Sequence, residues 1–367
     1  MMYTEEQLVR IAKRENNAKR TYLVVNKDQG KHIPVSPGKA FAMFDALAEK
    51  LASAYEEETL LLIGFAETAT AVGARISIRL HADYIQTTRE QIEGVSYLYF
   101  SETHSHATEQ KLIREEVESV LEKTDRIVFV EDEVTTGNTI LNIIHILEET
   151  YPQKMHFSVA SLLNGMDQAA QKRYAEKQIP LHYLVKTSHE QYAEIAQRYS
   201  GKGNYIPPDA AESGDIPLIC VSSYINTRRC TTGDLYADAC NQLWNQMKKQ
   251  ISWRGSERIL ILGTEECMYP ALFAGACLEQ CGNIVRCHAT TRSPIAVSRE
   301  EKYPLHERYE LISLYEENRK TFLYDLEKYD RVWIVTDAPN LCEKGVYTLL
   351  NALRACGNEE IQLFRWC

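Results

Sequence analysis

The sequence predicts an α/β protein: a parallel sheet flanked by helices, then a second, Rossmann-like α/β domain that reads as a degenerate repeat of the first. Three observations lead there. Short apolar runs alternate with helix-patterned segments along most of the chain, the pattern of a parallel or mostly parallel sheet. One stretch rich in Gly, Pro and acids, GKGNYIPPDAAESGDIP at 201–217, interrupts the alternation and reads as a linker. A set of small motifs in the first half recurs, in order, in the second.

The start, MMYTEEQLVRIAKRENNAKR, reads as an amphipathic first helix and lacks the uninterrupted apolar stretch of a secretory signal. YLVV at 22–25 is a short strand. NKDQGKHIPVSPG follows as an ordered loop or arm, because Gly30, Pro34, Pro37 and Gly38 can neither extend a strand nor start a long helix. Phe41, Phe44, Leu47, Leu51 and Ala54 recur at helical spacing and predict a helix over 39–56. Strands then read at 60–63, 82–87, 96–100, 126–130, 156–162 and 180–185, with helices after Gly64 and at 107–123, 138–149 and 167–177. Beyond the linker, strands at 258–262, 284–288 and 331–335 again interleave with helices. The expected division is a first domain at 1–205 and a second at 218–367, in keeping with a 367-residue chain.

Composition narrows the function. All ten cysteines lie at or after Cys220, a shift that supports a boundary nearby. No C-x-x-C pair occurs, so Cys277, Cys281 and Cys287 read better as small buried hydrophobes than as metal ligands. The net charge of −10 is spread along the chain, which argues against nucleic acid as a partner, since that needs a clustered basic face. Small anions remain admissible, because local backbone amides can hold them inside an acidic protein. No segment is long and apolar enough to span a bilayer, so the expected compartment is the cytoplasm and no membrane partner is expected.

The repeat can be followed residue by residue. LLLIGFAETA resembles LILGTEECMY: an apolar strand, then Gly64 or Gly263, then Glu67 or Glu266 three positions on. Thr-Thr-Arg follows at 87–89 and 290–292, and an acid-terminated strand at IVFVED and WIVTD. Gly64 to Arg89 spans 25 positions and Gly263 to Arg292 spans 29; Arg89 to Asp132 spans 43 and Arg292 to Asp337 spans 45. Agreement of three elements in order favours an ancient duplication over coincidental α/β regularity.

The chemistry concentrates at 127–140, IVFVEDEVTTGNTI. Ligands of open α/β sheets bind beyond the carboxyl ends of strands, and here a buried strand ends in Glu131 and Asp132. Val134-Thr135-Thr136-Gly137-Asn138-Thr139 then turns into a helix, exposing successive amides as an anion nest. The two carboxylates would repel a phosphate but suit the 2′- and 3′-hydroxyls of a ribose whose 5′-phosphate lies in the nest. On local chemistry alone, a plain strand–turn–helix junction with capping threonines accounts for the segment equally well.

This segment resembles the signature of type I phosphoribosyltransferases: two acids, two aliphatic residues, then Thr-Thr-Gly-x-Thr. Glu133 departs from the pattern by replacing the first aliphatic residue. NKDQGKHIPVSP, GFAETATAVG, FSETHSHATE and the second-half Thr291-Arg292-Ser293-Pro294 further resemble the orotate-phosphoribosyltransferase-like proteins of tellurite-resistance and stress operons, which carry a C-terminal TRSP domain. The resemblance covers almost the whole chain. It implies a phosphoribosyltransferase-like first sheet and an enzyme that uses phosphoribosyl pyrophosphate and Mg²⁺ to make or cleave an N-glycosidic bond to a base, in a nucleotide-like pathway linked to stress; related transferases are often homodimers.

On that reading Thr135, Thr136, Gly137, Asn138 and Thr139 hold the 5′-phosphate, while Glu131 and Asp132 anchor ribose and Mg²⁺ directly or through water. Gly64, Glu67, Thr68 and Ala69 lie in the candidate pyrophosphate loop, where an ordinary βα turn is the alternative. Arg89 would counter the pyrophosphate charge, unless it is a surface arginine. His104 and His106 fall where related enzymes carry a mobile catalytic loop, or in an exposed helix-start loop. Lys31 and His32 occupy a candidate hood over the incoming base. Glu265, Glu266, Arg292, Ser293 and Asp337 are candidates for a second-domain pocket, with Arg228 and Arg229 adding positive charge, unless that half is purely structural or dimerising. Asp337-Ala338-Pro339-Asn340 lacks the phosphate nest, so the same donor is not expected there. A sensor that binds a phosphoribosyl metabolite and regulates a partner is the rival to an enzyme.

Overall fold

The computed structural model describes residues 3–15, 20–100, 110–152, 155–212, 214–215, 217–250 and 255–367. One helical turn, α1 (Glu5–Leu8), leads into β1 (Val9–Lys13) and β2 (Tyr22–Asn26). Then come α2 (Pro37–Ala54), β3 (Leu60–Gly64), α3 (Thr70–Leu80), β4 (Asp83–Gln86), β5 (Tyr97–Phe100), β6 (Gln110–Ile113) and α4 (Arg114–Leu121). The next group is β7 (Arg126–Val134), α5 (Asn138–Thr150), β8 (His156–Asn164), α6 (Gln168–Glu176), β9 (Leu181–Lys186) and α7 (Tyr192–Gln197). Short strands β10 (Asn204–Ile206), β11 (Leu218–Val221) and β12 (Thr231–Thr232) precede α8 (Gly233–Gln250). The chain ends with β13 (Arg258–Gly263), α9 (Tyr269–Gln280), β14 (Ile284–Ala289), β15 (Glu307–Ile312), β16 (Lys320–Tyr324), β17 (Arg331–Thr336), α10 (Glu343–Ala355) and β18 (Ile361–Trp366).

These elements form two compact units that interleave in sequence. The first comprises residues 1–3, 41–187 and 225–239; the second comprises 4–40, 188–224 and 240–367. The N-terminal arm, residues 4–40, packs with the second unit.

In the first unit a six-stranded sheet runs β12-β4-β3-β7-β8-β9, parallel except where β12 meets β4. β3 is buried at every position, as a central parallel strand covered on both faces must be. Helix α5 buries Ile140, Ile143, Ile144 and Leu147, a helical stripe that joins Leu61, Ile63, Ile127 and Phe129 in one core. Each such side chain removed from water contributes about 1.5–3 kcal/mol. Gly73 lets α3 approach the sheet closely: a Cβ there would lie 3.1 Å from the Gly64 Cα and 2.8 Å from Tyr84 Cε2.

In the second unit a five-stranded, all-parallel sheet runs β11-β18-β17-β13-β14. Leu260, Leu262, Val332 and Ile334 pack with Leu349, Leu350 and Leu353 of α10. Four strands of each sheet share one order: β4-β3-β7-β8 and β14-β13-β17-β18. In both, the chain leaves the central strand to one side and returns on the other, which opens a crevice at the carboxyl ends of β3 and β7, and of β13 and β17.

Three expectations are corrected. The predicted first helix shrinks to one turn, because residues 9–13 pair antiparallel with β2. Of the predicted helix at 107–123, the described residues are helical at Arg114–Leu121, and residues 110–113 instead pair with β5. The linker contributes β10, which pairs with β15 inside the second unit. No helix among the described residues is long and apolar enough to cross a membrane.

Candidate functional site

Two loops meet at the first unit's crevice. Strand β7 runs on through Glu131, Asp132 and Glu133 to Val134, so the acids belong to the strand itself. Alternation puts Glu131 and Glu133 on one face and Asp132 on the other. The chain then turns at Thr135–Thr136 and enters α5 from Gly137, whose φ of 70° lies in the left-handed region that glycine tolerates. A Cβ at this glycine would lie 2.6 Å from Tyr174 Cε2 and 2.7 Å from Met166 Cε. Gly137 offers α5 no side-chain cap; the Asn138 amide donates to Thr136 Oγ1 at 3.3 Å, and both Thr136 and Asn138 are exposed at this helix start.

Helix α6 fastens the turn from beneath. The Tyr174 hydroxyl donates to the Gly137 carbonyl at 2.6 Å. Arg173 donates to the Thr136 carbonyl at 3.1 Å and to Asn138 Oδ1 at 3.2 Å. Sequence reading missed both residues: Gln-Lys-Arg-Tyr-Ala-Glu-Lys looks like an ordinary surface helix, and nothing local links it to a loop some 35 positions earlier.

The second loop follows β3. The Phe65 amide donates to the Val130 carbonyl at 3.0 Å, and the Ala66 amide to Thr87 Oγ1 at 2.8 Å. The Ala66–Glu67 peptide is cis, which no proline announces in the sequence. Thr68 Oγ1 donates to Asp132 Oδ1 at 2.7 Å and so ties the two loops together. Glu67 is buried, and α3 starts at Ala69 without a side-chain cap.

Electrostatics single out Glu131. Its carboxyl pKa is raised well above 4.5, first by desolvation and then by the charges of Asp132 and Glu133; Arg89 lies close enough to oppose part of that rise. Asp132 and Glu133 thus disfavour ionisation of Glu131, while among the described residues no group of three or more His, Cys, Asp or Glu is arranged to hold a metal ion.

The other predicted residues fall elsewhere. Lys31 and His32 belong to the second unit. Lys31 is fully buried, its ammonium donating at 2.9 Å to the carbonyls of Glu265 and Thr290. His32 is buried edge-on to Tyr324, with ring centroids 6.3 Å apart. His104 and His106 lie outside the described residues. Arg229 pairs with Glu116 at 2.6 Å and Arg228 is buried, both in the first unit.

That cluster sits at the carboxyl ends of β13 and β17. Arg292 Nε donates to Glu265 Oε2 at 2.6 Å, and Arg292 Nη2 stands 3.9 Å from Glu266. Asp337 accepts from Tyr315 at 2.5 Å and from Tyr224 at 3.0 Å. The Ser293 amide donates to Thr291 Oγ1, and its carbonyl accepts from Tyr324. Tyr224, Ser313, Tyr315 and Arg319 were not foreseen, because they come from segments distant in sequence.

The model of the family described as phosphoribosyl transferase matches residues 8–191, and that of the TRSP domain C-terminal to it matches 230–353. No match emerged among curated protein sequences. Among solved structures, adenine phosphoribosyltransferase from Rhodothermus marinus is 15% identical, with 50% of this chain and 96% of that one covered at a TM-score of 0.35. The Thermoanaerobacter pseudethanolicus enzyme gives 18% identity, 50% and 97% coverage, and 0.35. The Leishmania donovani enzyme gives 14%, 64% and 90%, and 0.38. These structural likenesses are distant and carry no weight for substrate. With half of the chain matched by the family and a TRSP domain behind it, the protein belongs to the phosphoribosyltransferases, enzymes of the glycosyltransferase class.

Proposed function

We propose that the first unit transfers a phosphoribosyl group between pyrophosphate and the nitrogen of a base, using phosphoribosyl pyrophosphate as donor in the synthetic direction. The observation that carries this reading is the Glu131–Asp132 pair set directly before the start of α5, whose backbone Tyr174 and Arg173 hold in place. In the reaction the bond from C1 to the pyrophosphate oxygen breaks and a bond from C1 to nitrogen forms. Positive charge develops on the sugar between the two events.

Each part of the site has a task in that scheme. The Thr135–Thr139 turn holds the 5′-phosphate through its amides and hydroxyls. Glu131 and Asp132 hold the 2′- and 3′-hydroxyls and lie near the developing positive charge. The Gly64–Ala69 loop and the start of α3 receive the pyrophosphate, with Arg89 offsetting its charge. Thr68, bonded to Asp132, keeps the two halves in register, so donor and leaving group stay aligned. His104 and His106 remain the proposed groups for protonating the leaving pyrophosphate.

The carboxylate set suits Mg²⁺: the mutual repulsion that raises Glu131 is what a divalent cation would relieve, with Glu131 and Asp132 as its holders. Bound there, the ion would neutralise charge on the pyrophosphate. The stress-linked, nucleotide-like pathway implied by the family resemblance is part of the same proposal.

The test is calorimetric titration of phosphoribosyl pyrophosphate with Mg²⁺ into the wild type and Asp132→Asn. Saturable binding, weakened at least about tenfold by the substitution (about 1.4 kcal/mol), supports the site and justifies screening bases for pyrophosphate release. Absence of binding by folded wild-type protein would sink the reading.

A further inference from the structure

The two units share more than strand order. The Thr87 amide donates to the Gly64 carbonyl at 2.9 Å, and the Thr290 amide to the Gly263 carbonyl at 3.1 Å. The Ala66 amide donates to Thr87 Oγ1 at 2.8 Å; the Glu265 amide donates to Thr290 Oγ1 at 3.0 Å. Thr88 bridges to Lys111 of β6, and Thr291 bridges to Phe322 of β16. Gly64 pairs with Val130, as Gly263 pairs with Val335. This register equates Ala66 with Glu265, Glu67 with Glu266, Arg89 with Arg292, Glu131 with Thr336 and Asp132 with Asp337. Residues 313–319 connect β15 to β16.

The differences fall at the loop after the central strand. Where the first unit has the methyl group of Ala66, the second has a carboxylate. Glu265 is 1% exposed and has a φ of 48°, a left-handed conformation that L-residues rarely adopt. Its side chain is held from several sides. Oε2 accepts from Arg292 at 2.6 Å and from Arg319 at 3.1 Å, and Oε1 accepts from Ser313. Arg319 and Ser313 both come from 313–319. Tyr315 of the same segment reaches the Thr264 carbonyl at 3.1 Å and Asp337 at 2.5 Å. A carboxylate set between two guanidiniums and a hydroxyl makes the contacts that a phosphate-type oxyanion would make there.

We propose that the second unit contains an oxyanion site of the pyrophosphate class whose occupant is the chain's own Glu265 carboxylate, and that this tethered anion keeps residues 313–319 closed on the crevice. The unit is then a closed copy of the first rather than a second transferase centre. Its anion position is filled from within, one acid of the pair has become Thr336, and Ala338-Pro339 stands where the chain would have to begin a phosphate nest. A tethered group excludes a free one because it binds without losing translational freedom.

Removing the tethered anion while keeping the cations should expose the site to a free one. In calorimetric titration with inorganic pyrophosphate, Glu265→Ala is expected to bind one equivalent more per chain than the wild type, whatever number the wild type binds. The thermal midpoint of Glu265→Ala should fall below wild type and recover with millimolar pyrophosphate. Adding Arg319→Ala to Glu265→Ala should abolish the extra equivalent and reduce the pyrophosphate-induced rise in midpoint to that of the wild type. An unchanged stoichiometry in folded Glu265→Ala, or an extra equivalent that survives the added Arg319→Ala, overturns the proposal. Should Glu265→Ala not fold, Arg319→Ala alone decides. Amide exchange in 313–319 faster than wild type at least about tenfold supports the tether, and unchanged exchange there overturns it.

Discussion

One strand order serves two different crevices in this chain. At the carboxyl ends of β3 and β7 the first unit presents the start of α5, the successive acids Glu131, Asp132 and Glu133, and the Gly64–Ala69 loop. At the corresponding ends of β13 and β17 the second unit closes the space with its own side chains: Arg292, Arg319 and Ser313 on Glu265, and Tyr315 and Tyr224 on Asp337. The backbone framework is nearly the same in both, down to the threonine that receives the loop amide. The comparison teaches that the framework determines where a ligand could lie, while a few side chains determine whether the place is open. In the first unit desolvation and the acids Asp132 and Glu133 raise the pKa of Glu131, and the proposed substrate and cation would answer that charge. In the second the charges answer one another.

The largest effect that would break this contrast is expected at Gly137, which has no glycine counterpart in the second unit. A valine there meets both a left-handed backbone and the ring of Tyr174, at a calculated Cβ separation of 2.6 Å. Strain and overpacking together should cost about 3–5 kcal/mol. Urea unfolding of Gly137→Val should show that loss, and donor binding should disappear even where enough folded protein remains to titrate. Wild-type stability would mean that the Tyr174–Gly137 packing does not define the nest.

Smaller and more diagnostic is the matched pair Thr87→Val and Thr290→Val. Each deletes the hydroxyl that accepts a buried loop amide, so each should destabilise its fold by about 1–3 kcal/mol. Their effects on binding should differ. Thr87→Val loosens the loop offered to pyrophosphate and should weaken donor binding, whereas Thr290→Val should lower the melting temperature and leave donor affinity unchanged. Equal losses of affinity would show that the second unit's loop also takes part in binding.

How far the sequence could be read follows from how local each feature is. The β7–turn–α5 junction is contiguous, so the acids, the threonines and Gly137 announce it together. The second unit's polar cluster could be collected as residue types because the repeat places them at matching intervals, although its closure could not be foreseen. Lys31 shows why some roles stayed hidden: its partners lie 234 and 259 positions away. Residues 110–113 were absorbed into a helix because Lys-Leu-Ile runs straight into the helical Arg-Glu-Glu-Val; only the distant partner β5 makes them a strand. Interleaving of the two units is likewise a property of tertiary packing, with no local signal at the crossings.

The smallest effect expected is a pH dependence that belongs to the first unit alone. Glu131 has its folded-state pKa raised above 4.5 by desolvation and by its acidic neighbours. A carboxyl shifted upward keeps its proton in the folded state at pH values where the unfolded chain has lost it. The associated stability is therefore complete below about pH 4.5 and declines as pH rises toward the folded pKa. Binding should run the opposite way, because ribose hydroxyls and a divalent cation call for the ionised form. Below the folded pKa each unit of pH should cost up to about 1.4 kcal/mol, or tenfold in Kd, and above it the affinity should level off. Titrations of phosphoribosyl pyrophosphate with Mg²⁺ across that range would display the break, and Glu131→Gln should abolish it while raising the stability of the unliganded fold above the break. The second unit offers a control within the same chain. Its corresponding residue is Thr336, which does not titrate there, so the pyrophosphate site opened by Glu265→Ala should show no such break. A break of the same shape at both sites would mean that the titrating group is not Glu131.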